Sequence, residues 1–424
     1  MRFMTIRWLL YGLTVVALGC SRVLASAGTT TAFTLPAQSY PGSRERQYKV
    51  YAPGGLSGPA PMVMALHGCQ QTHDDVLRDW GLVAAADRNG FILVTPFITS
   101  YDGLRSPNCW GFWLEQHRHQ GAGESEDLHQ IGLQVESRMS VDPTRRYVVG
   151  LSSGGAMAVV LSVTHNEYFA AAASAAGLPY GEDAGAVSSQ CPGFAAFHTV
   201  GRVVADMRGE RDNSSPIPLM VLQNNRDCTV VQPAGRHLRD AHLRINGDAA
   251  HNTSAKTRAQ QRDCAPFYGA AWGCQHVIYT VDGQAGSRSL VETVFYDGPL
   301  ATPDPTDADH AHYWVGGQDG RDGPWTVQRG PSYPVIVWDF FRRHRALAGS
   351  LQIPVPTCRA ARTTPGNHIV QGHATAGGLA GLRSLSTGDT QDIGAAFNFV
   401  FPQVNLIEGT GGRWFVQRPA GCPG

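Results

Sequence analysis

The feature that most constrains the fold is a series of short apolar runs separated by stretches of helical pattern. The runs are apolar at consecutive positions, which predicts strands buried on both faces. They lie at residues 61–66, 91–95, 147–149, 169–176 and 218–222, after an alternating run at 47–52. Helical stretches lie between them, notably at 74–89, 126–140 and 154–164. This alternation predicts an α/β fold with a mainly parallel central sheet.

The sequence changes character near residue 350. Residues 333–345 predict the last helix of the α/β unit, with an apolar stripe at Val335, Trp338 and Phe341 that runs on to Arg345. An Ile-Pro-Val-Pro stretch at 353–356 indicates a stiff connector, and the remainder is rich in Gly and Thr. We therefore expect a large α/β domain at 28–350 and a small disulfide-closed segment at 351–424. An insert between residues 248 and 297 carries alternating stretches at 277–281 and 290–296, one of which is expected to join the sheet.

The N-terminal residues 1–27 have the pattern of an export signal. Arg2 and Arg7 precede an apolar run at 8–18, and small residues end at Ala27, the preferred cleavage position. An alternative is lipoprotein anchoring through Cys20, which the small Ala at position 17 disfavours. The apolar run is shorter than the roughly 20 residues of a membrane-spanning helix, so no transmembrane anchor is expected. The prediction is a protein secreted to the periplasm or the medium.

Charge and cysteine content narrow the function further. With 34 basic and 34 acidic residues, the chain carries no excess of positive charge that would favour nucleic acid. Nine cysteines become eight once the signal is removed, and an even number in an exported chain predicts disulfides. Proximity favours a Cys264–Cys274 pair, and a Cys358–Cys422 bond would close the C-terminal segment. The chain has no Cys-x-x-Cys motif, so a zinc ribbon is not expected.

A Gly-x-Ser-x-Gly motif, Gly150-Leu151-Ser152-Ser153-Gly154, lies directly between a predicted buried strand and a predicted helix. This is the setting of a nucleophile elbow, in which the serine occupies a strained turn and flanking glycines avoid collisions. Ser152 is therefore the candidate nucleophile. In such a fold the oxyanion hole takes one N–H from the residue after the nucleophile, here Ser153. The other comes from the loop after an earlier strand, where Cys69 follows His67.

The candidate acid and base follow the serine in the order expected for this fold. Asp227 lies on the loop after the strand at 218–222 and is the candidate acid that orients the base. Two histidines, His310 and His312, precede the final helix, and chain order alone does not distinguish them. A metal site at this pair lacks a third ligand at the usual spacing. His117 and His119 lie in a polar run and are interpreted as a solvated loop.

Several stretches together resemble the extracellular polyhydroxybutyrate depolymerase family, whose relatives include feruloyl and acetylxylan esterases. The resemblance covers about residues 48–344 and is carried by Leu66-His67-Gly68-Cys69-Gln70-Gln71, Ala86-Asp87-Arg88-Asn89-Gly90-Phe91, Cys109-Trp110, Gly150–Met157 and Ala176–Gly181. His312-Tyr313-Trp314-Val315-Gly316-Gly317 is similar to the family's histidine motif and selects His312 as the base. The family's acid loop usually has His-Gly where this chain has Gln223-Asn224-Asn225, which weakens the assignment of Asp227.

The resemblance implies ester hydrolysis through an acyl-enzyme, with no cofactor or metal. It also implies a Cys69–Cys109 disulfide and substrate contacts at Trp110 and Trp314. The expected substrate is poly(3-hydroxybutyrate) or its oligomers, including an insoluble polymer surface. Alternatives are a feruloyl or acetylxylan esterase, a polymer amide hydrolase, and a non-catalytic polymer-binding protein, which would require a missing triad residue. In the C-terminal segment, Trp414 and Phe415 are interpreted as core residues.

Overall fold

The computed structural model describes residues 27–103, 105–247, 259–262, 264, 267–269, 273–280, 288–298, 311–346, 358–378, 381–409, 412–419 and 422. Most of the predicted signal at 1–27, His310 and the connector at 353–356 lie outside these residues. Within the described part, no helix is both long and apolar enough to cross a membrane.

The central sheet contains ten strands within the described residues. The first eleven strands of the chain are β1 (Thr29–Leu35), β2 (Arg46–Ala52), β3 (Ala60–Leu66), β4 (Ile92–Phe97), β5 (Val141–Leu151), β6 (Ala171–Ala175), β7 (Leu219–Asn224), β8 (Ala259–Arg262), β9 (Phe267–Tyr268), β10 (Gln275–Thr280) and β11 (Ser289–Tyr296). All except β9 belong to this sheet, in the order β1-β2-β4-β3-β5-β6-β7-β11-β10-β8. The six adjacent strands β4-β3-β5-β6-β7-β11 run parallel to one another. Antiparallel strands flank this set on both sides. The predicted α/β fold with a mainly parallel sheet is confirmed.

The helices are α1 (His73–Asp79), α2 (Leu82–Asn89), α3 (Gly123–Glu136), α4 (Ser153–Thr164), α5 (Val200–Glu210), α6 (Pro233–Ile245), α7 (Tyr333–Phe341) and α8 (Pro365–Val370). All twelve residues of α4 are buried, as are all residues of β3 and β6. This burial on every side explains why their sequences are apolar without a helical or alternating period. The elbow motif therefore lies at the centre of the domain.

Two helix predictions need correction. The stretch 74–89 forms two helices because Gly81 between them has a φ of 73°, where a Cβ would lie 2.8 Å from a backbone oxygen of Gly316. The last helix ends at Phe341 instead of Arg345, and its fully buried side includes Ile336, Val337 and Phe340. Phe341 of the predicted stripe is also buried, whereas Val335 and Trp338 are only partly buried, so most of the buried side lies one residue away from the predicted stripe.

Both alternating stretches of the insert join the sheet, although only one was expected to do so. β11 lies parallel to β7, and β10 returns antiparallel to β11. Glu292 on β11 is fully buried, and it accepts hydrogen bonds from Ser289 and Arg343 and contacts the His276 ring at 2.8 Å. A buried carboxylate requires such partners. The bond from Arg343 attaches the insert to the turn that follows α7.

The remaining strands are β12 (Trp314–Val315), β13 (Thr326–Val327), β14 (Gly330–Pro331), β15 (Ala360–Thr363), β16 (Ala374–Gly377), β17 (Arg383–Ser386), β18 (Asp392–Ala395), β19 (Val404–Glu408) and β20 (Trp414–Phe415). In the C-terminal segment they form two three-stranded sheets, β15-β19-β20 and β16-β17-β18. Trp414 and Phe415 are buried, which confirms their interpretation as core residues. The Glu210 carboxylate binds the buried Arg413 side chain and joins this segment to α5.

The described residues contain four disulfides, Cys69–Cys109, Cys191–Cys228, Cys264–Cys274 and Cys358–Cys422. The three pairs predicted from proximity, closure of the C-terminal segment and resemblance are confirmed. The Cys191–Cys228 bond was not predicted, and it reaches the residue directly after Asp227. Two of the four bonds therefore brace loops on which candidate site residues lie.

Candidate active site

Ser152 lies on a strained turn between β5 and α4. Its φ of 57° and ψ of −121° are unfavourable for a residue with a side chain. A Cβ at Gly150 would lie 2.2 Å from the carbonyl oxygen of Gly154, and one at Gly154 would lie 2.2 Å from that of Leu66. Neither position has room for a side chain, so the two glycines of the motif are what allow the turn. The Ser152 amide donates to the Ala175 carbonyl at 2.9 Å, which ties the turn to β6.

Asp227 and His312 are 85 residues apart in sequence and in direct contact in the fold. The distance between His312 Nδ1 and Asp227 Oδ2 is 2.8 Å, and both side chains are almost entirely buried. The other oxygen of Asp227 accepts from the amides of Thr229 and Val230 at 2.8 and 2.9 Å. This arrangement holds the imidazole with its Nδ1 toward the carboxylate and its Nε2 on the side of the ring away from the carboxylate.

The electrostatics of the Asp227 carboxyl reflect two opposing effects. Burial raises its pKa above the ordinary value, while His312 and the two backbone amides favour the ionised form. A buried carboxylate with three hydrogen-bonding partners is a suitable group to stabilise a neighbouring imidazolium.

Asn224, the last residue of β7, links the loops that carry Asp227 and His312. Its side-chain amide donates to the Ala311 carbonyl at 3.1 Å and to the Tyr313 hydroxyl at 2.9 Å. Its side-chain oxygen accepts from the amides of Arg226 and Gly298 at 3.1 and 3.0 Å. In the sequence, this position stands out only because it differs from the family's pattern. In the structure, the buried Asn224 side chain binds the residues on both sides of His312.

Ser152 and His312 line one cavity of about 330 Å³. Its other lining residues include both candidate oxyanion donors, Cys69 and Ser153, together with Gly68, Gln70, Ser106, Cys109, Phe112, Trp113, Leu151, Leu178, Ala184, Val187, Thr229, Val230 and Trp325. A cavity of this size with mostly apolar walls and a few convergent polar groups is typical of a small-molecule binding site. Asp227 lies behind His312 and does not line the cavity.

The loop after β3 is held by contacts on three sides. The Cys69–Cys109 disulfide joins it to the following loop, and the Gln70 amide donates to the Pro107 carbonyl at 3.0 Å. Gln71 accepts from the Gly68 amide at 2.9 Å and donates to the Pro324 carbonyl at 2.7 Å. Among the described residues, no group accepts a hydrogen bond from the Cys69 amide. That N–H therefore remains available beside Ser152.

The His67 side chain packs beneath this loop. The ring is fully buried against Trp110 and Phe97, and its Nδ1 contacts the Gly68 carbonyl at 2.8 Å. Burial lowers the pKa of His67 to about 4, which keeps the ring neutral at physiological pH. The residue does not line the cavity.

The predicted substrate contacts at Trp110 and Trp314 are wrong. Both side chains are fully buried, and their indole N–H groups donate to the carbonyls of His67 and Trp80 at 3.0 and 2.9 Å. Trp314 also stacks on the Trp80 ring at 4.2 Å. Neither tryptophan has exposed surface with which to contact a substrate. The aromatic residues that line the cavity are Phe112, Trp113 and Trp325, close in sequence to the predicted pair.

The interpretation of His117 and His119 as a solvated loop is also wrong. His117 has no exposed surface, and its Nδ1 accepts from the Glu124 amide at 3.2 Å. His119 lies between Glu115 and Glu210, at 2.8 and 2.9 Å from their carboxylates. These histidines bridge elements within the domain, a role that the polar character of the surrounding sequence concealed.

The sheet order, the elbow after β5 and the Asp227 loop after β7 are those of an α/β-hydrolase fold. The family model described as Esterase PHB depolymerase matches residues 46–265, about half of the chain, and the chain belongs to this family. The matched span contains Ser152 and Asp227 and ends before the His312 motif.

Among curated proteins, the chain is 35% identical over 130 residues to poly(3-hydroxyalkanoate) depolymerase C of Paucimonas lemoignei, covering 31% of each protein. It is 33% identical over 140 residues to feruloyl esterase B of Neurospora crassa, covering 33% of this chain and 46% of the relative. It is 23% identical over 308 residues to a poly(3-hydroxybutyrate) depolymerase of Ralstonia pickettii, covering 69% of this chain and 56% of the relative. The chain thus spans about a third to just over half the length of these relatives.

Among solved structures, an acetyl xylan esterase from Aspergillus awamori matches 74% of this chain and 99% of its own with a TM-score of 0.50. At 16% identity, this likeness concerns the fold alone.

Proposed function

We propose that this chain is an exported serine hydrolase of carboxylic esters, with Ser152, His312 and Asp227 as its catalytic triad. The observation that carries the proposal is the 2.8 Å contact of Asp227 with His312, whose ring opens into the same cavity as the serine on its strained turn. Buried carboxylate, imidazole and serine in this arrangement are the groups needed for acyl transfer.

In the proposed reaction the Ser152 oxygen attacks the ester carbonyl carbon while His312 accepts the serine proton. The alcohol leaves when the carbon–oxygen bond breaks and His312 returns the proton to it, which gives an acyl-serine. Water then attacks the acyl-serine with His312 again as base, and the acid and free serine are released. Throughout, Asp227 holds the imidazole and stabilises its charged form.

The backbone amides of Cys69 and Ser153 are proposed to stabilise the negative charge that develops on the carbonyl oxygen. Ser153 is the first residue of α4, so its amide has no acceptor within the helix. The helix N-terminus adds a favourable potential for an anion. Loss of one oxyanion donor typically costs about 2.7 to 4 kcal/mol of transition-state stabilisation, so the disulfide that holds Cys69 is expected to matter for the rate.

As substrate we propose poly(3-hydroxybutyrate) or its oligomers. The support is family membership, similarity to two polyhydroxyalkanoate depolymerases, and the apolar walls of the cavity. One surface loop of the C-terminal segment also exposes large apolar side chains: Phe397 is 74% exposed, Phe399 50%, Val400 71% and Phe401 74%. Clustered exposed aromatics are typical of surfaces that bind an apolar partner, here the polymer.

The decisive experiment compares polymer and soluble substrates. Wild type should clear a poly(3-hydroxybutyrate) suspension, Ser152→Ala should not, and Ser162→Ala on the same helix should behave as wild type. Phe397→Ser with Phe401→Ser should slow clearing and leave hydrolysis of p-nitrophenyl butyrate unchanged. Failure to clear the suspension, combined with fast turnover of another ester, would remove the polyester assignment and keep the triad.

A second candidate is an esterase for feruloyl or acetyl groups of plant polymers. It is supported by the 33% identity to a feruloyl esterase over a third of the chain. Methyl ferulate, acetylated xylan and a matched amide panel distinguish this candidate and amide hydrolysis from the first. A non-catalytic polymer-binding role would require inactivity on every member of the panel, together with retained binding to the polymer.

A further inference from the structure

A second cluster of polar side chains lies far from the cavity, where α3 packs beside the C-terminal end of α4. Glu126 and His129 lie one turn apart on α3, and His165 caps the end of α4. One possible ligand atom from each residue lies within 4.8 Å of the other two. All three side chains are at least 95% buried. The esterase reaction proposed above makes no use of them.

The two histidines of this cluster are incompletely hydrogen-bonded. Among the described residues, neither ring nitrogen of His129 has a hydrogen-bond partner, and nor does Nε2 of His165. His129 Nδ1 lies 3.4 Å from one oxygen of Glu126, and His165 Nε2 lies 3.7 Å from the other, both without hydrogen-bond alignment. Buried polar atoms left without partners are costly, and they commonly indicate a missing ion or water.

The spacing of these atoms fits a tetrahedral ion. Bonds of about 2.1 Å from zinc to nitrogen or oxygen place neighbouring ligand atoms roughly 3.4 Å apart. The separations of 3.4 and 3.7 Å, each to a different oxygen of Glu126, are close to that value, and one ligand atom of each residue lies within 4.8 Å of the other two. Two imidazoles and one carboxylate are a donor set that suits zinc, whereas calcium and magnesium prefer oxygen ligands alone.

The residues around the cluster orient its donors in the way expected of a metal site. Glu167 contacts His165 Nδ1 at 3.4 Å, so a proton held there leaves the Nε2 lone pair directed toward Glu126. A carboxylate behind a ligating histidine is a recurrent support for bound metals. The Glu126 carboxylate is itself fixed by the Gly121 amide at 3.0 Å and the Gln130 side chain at 2.7 Å.

We propose that Glu126, His129 and His165 form a structural site for one Zn²⁺ ion, which joins α3 to the end of α4. The ion has three protein ligands and a water at its fourth position. Because α4 has twelve residues with a rise of about 1.5 Å each, the site lies roughly 18 Å from Ser152. The ion therefore stabilises the domain and takes no part in acyl transfer.

The test uses the full mature chain and zinc itself. The chain is treated with EDTA, titrated with Zn²⁺, and analysed for metal content after gel filtration. We expect about one zinc per chain and an increase in Tm of several degrees at saturation, since a ligand that binds only the folded state stabilises it. Titration with Co²⁺ should produce the visible absorption of a tetrahedral site. Hydrolysis of p-nitrophenyl butyrate at 25 °C should be equal with and without the metal.

Glu126→Gln combined with His129→Gln should abolish zinc binding and the increase in Tm. His242→Gln, which changes an equally buried histidine outside the cluster, should keep both. If the double variant fails to fold, Glu167→Gln keeps all three ligands and should weaken zinc binding by 10- to 100-fold. Absence of zinc binding by wild type or unaltered binding by the double variant would overturn the proposal. Loss of esterase activity from metal-free protein that circular dichroism shows to be folded at 25 °C would also overturn it.

Discussion

Asp227→Asn tests the proposed triad most sharply, because the structure determines what the new amide must do. One oxygen of Asp227 accepts from two backbone amides and the other contacts His312 Nδ1. An asparagine must keep its oxygen toward the two amides, since the reverse orientation would set an NH₂ group against two N–H donors. Its NH₂ then faces His312 and requires Nδ1 to act as acceptor.

The proton of neutral His312 then lies on Nε2, the nitrogen that must accept the proton of Ser152. In a serine protease the same change of tautomer lowers kcat about 10⁴-fold, which corresponds to about 5.4 kcal/mol at 1.36 kcal/mol per tenfold change. We expect a loss of this order here, because the geometry that imposes the tautomer is present.

The assay is the initial rate of p-nitrophenyl butyrate hydrolysis, with circular dichroism and Tm to confirm folding. Asn225→Ala, an exposed change in the same loop, should leave the rate within about twofold of wild type. A folded Asp227→Asn enzyme that loses less than tenfold in kcat would refute Asp227 as the acid and leave the role of His312 to be reassigned.

Three further predictions concern the scaffold. Gly154→Ala should reduce the yield of soluble protein and lower the free energy of unfolding by more than about 4 kcal/mol, because its Cβ would lie 2.2 Å from a backbone oxygen of β3. Chemical denaturation measures this free energy, and a stable variant would contradict the turn described above. Replacing Cys191 and Cys228 by serine should lower the free energy of unfolding by about 2 to 4 kcal/mol. It should also reduce kcat, since the disulfide holds the loop that carries Asp227. Unchanged kinetics would show that the disulfide does not influence the site. Burial raises the pKa of Glu182 to about 7, so its folded form favours the proton, and Tm should rise as pH falls from about 7 to 4.5. Burial disfavours the charged form of Glu292, but hydrogen bonds from His276 and Arg343 hold its pKa at about 2, so the stability it contributes should be lost between about pH 4.5 and 2. Glu182→Gln should remove the first trend and keep the second.

Much of the fold and the nucleophile could be predicted because both depend on short stretches of sequence. Continuous apolar runs identify strands that are buried on both faces, and their alternation with helical stretches indicates a parallel sheet. The elbow depends on neighbours within five residues, since Gly150 and Gly154 leave the space that Ser152 needs. Three disulfides could likewise be inferred, from spacing or from resemblance.

Residues whose role depends on distant contacts could not be predicted in this way. A tryptophan beside a motif can face the cavity or the core. Here both side chains lie in the core, because Trp110 packs against His67 and Trp314 stacks on Trp80. Asn224 gained its role only because β7 ends between the loops that hold Asp227 and His312.

The cluster at α3 and α4 shows the same division. Glu126 and His129 are three residues apart in a predicted helix, and this spacing by itself places the two side chains on one helical face. His165 joins them only because α3 packs beside the end of α4. The sequence by itself determined the elements, their order and the serine at the elbow, since these follow from local sterics and hydrophobic pattern. The tertiary structure decided which aromatic residues line the cavity, what supports the histidine and where a metal is expected to bind, since these depend on side chains brought together from distant parts of the chain.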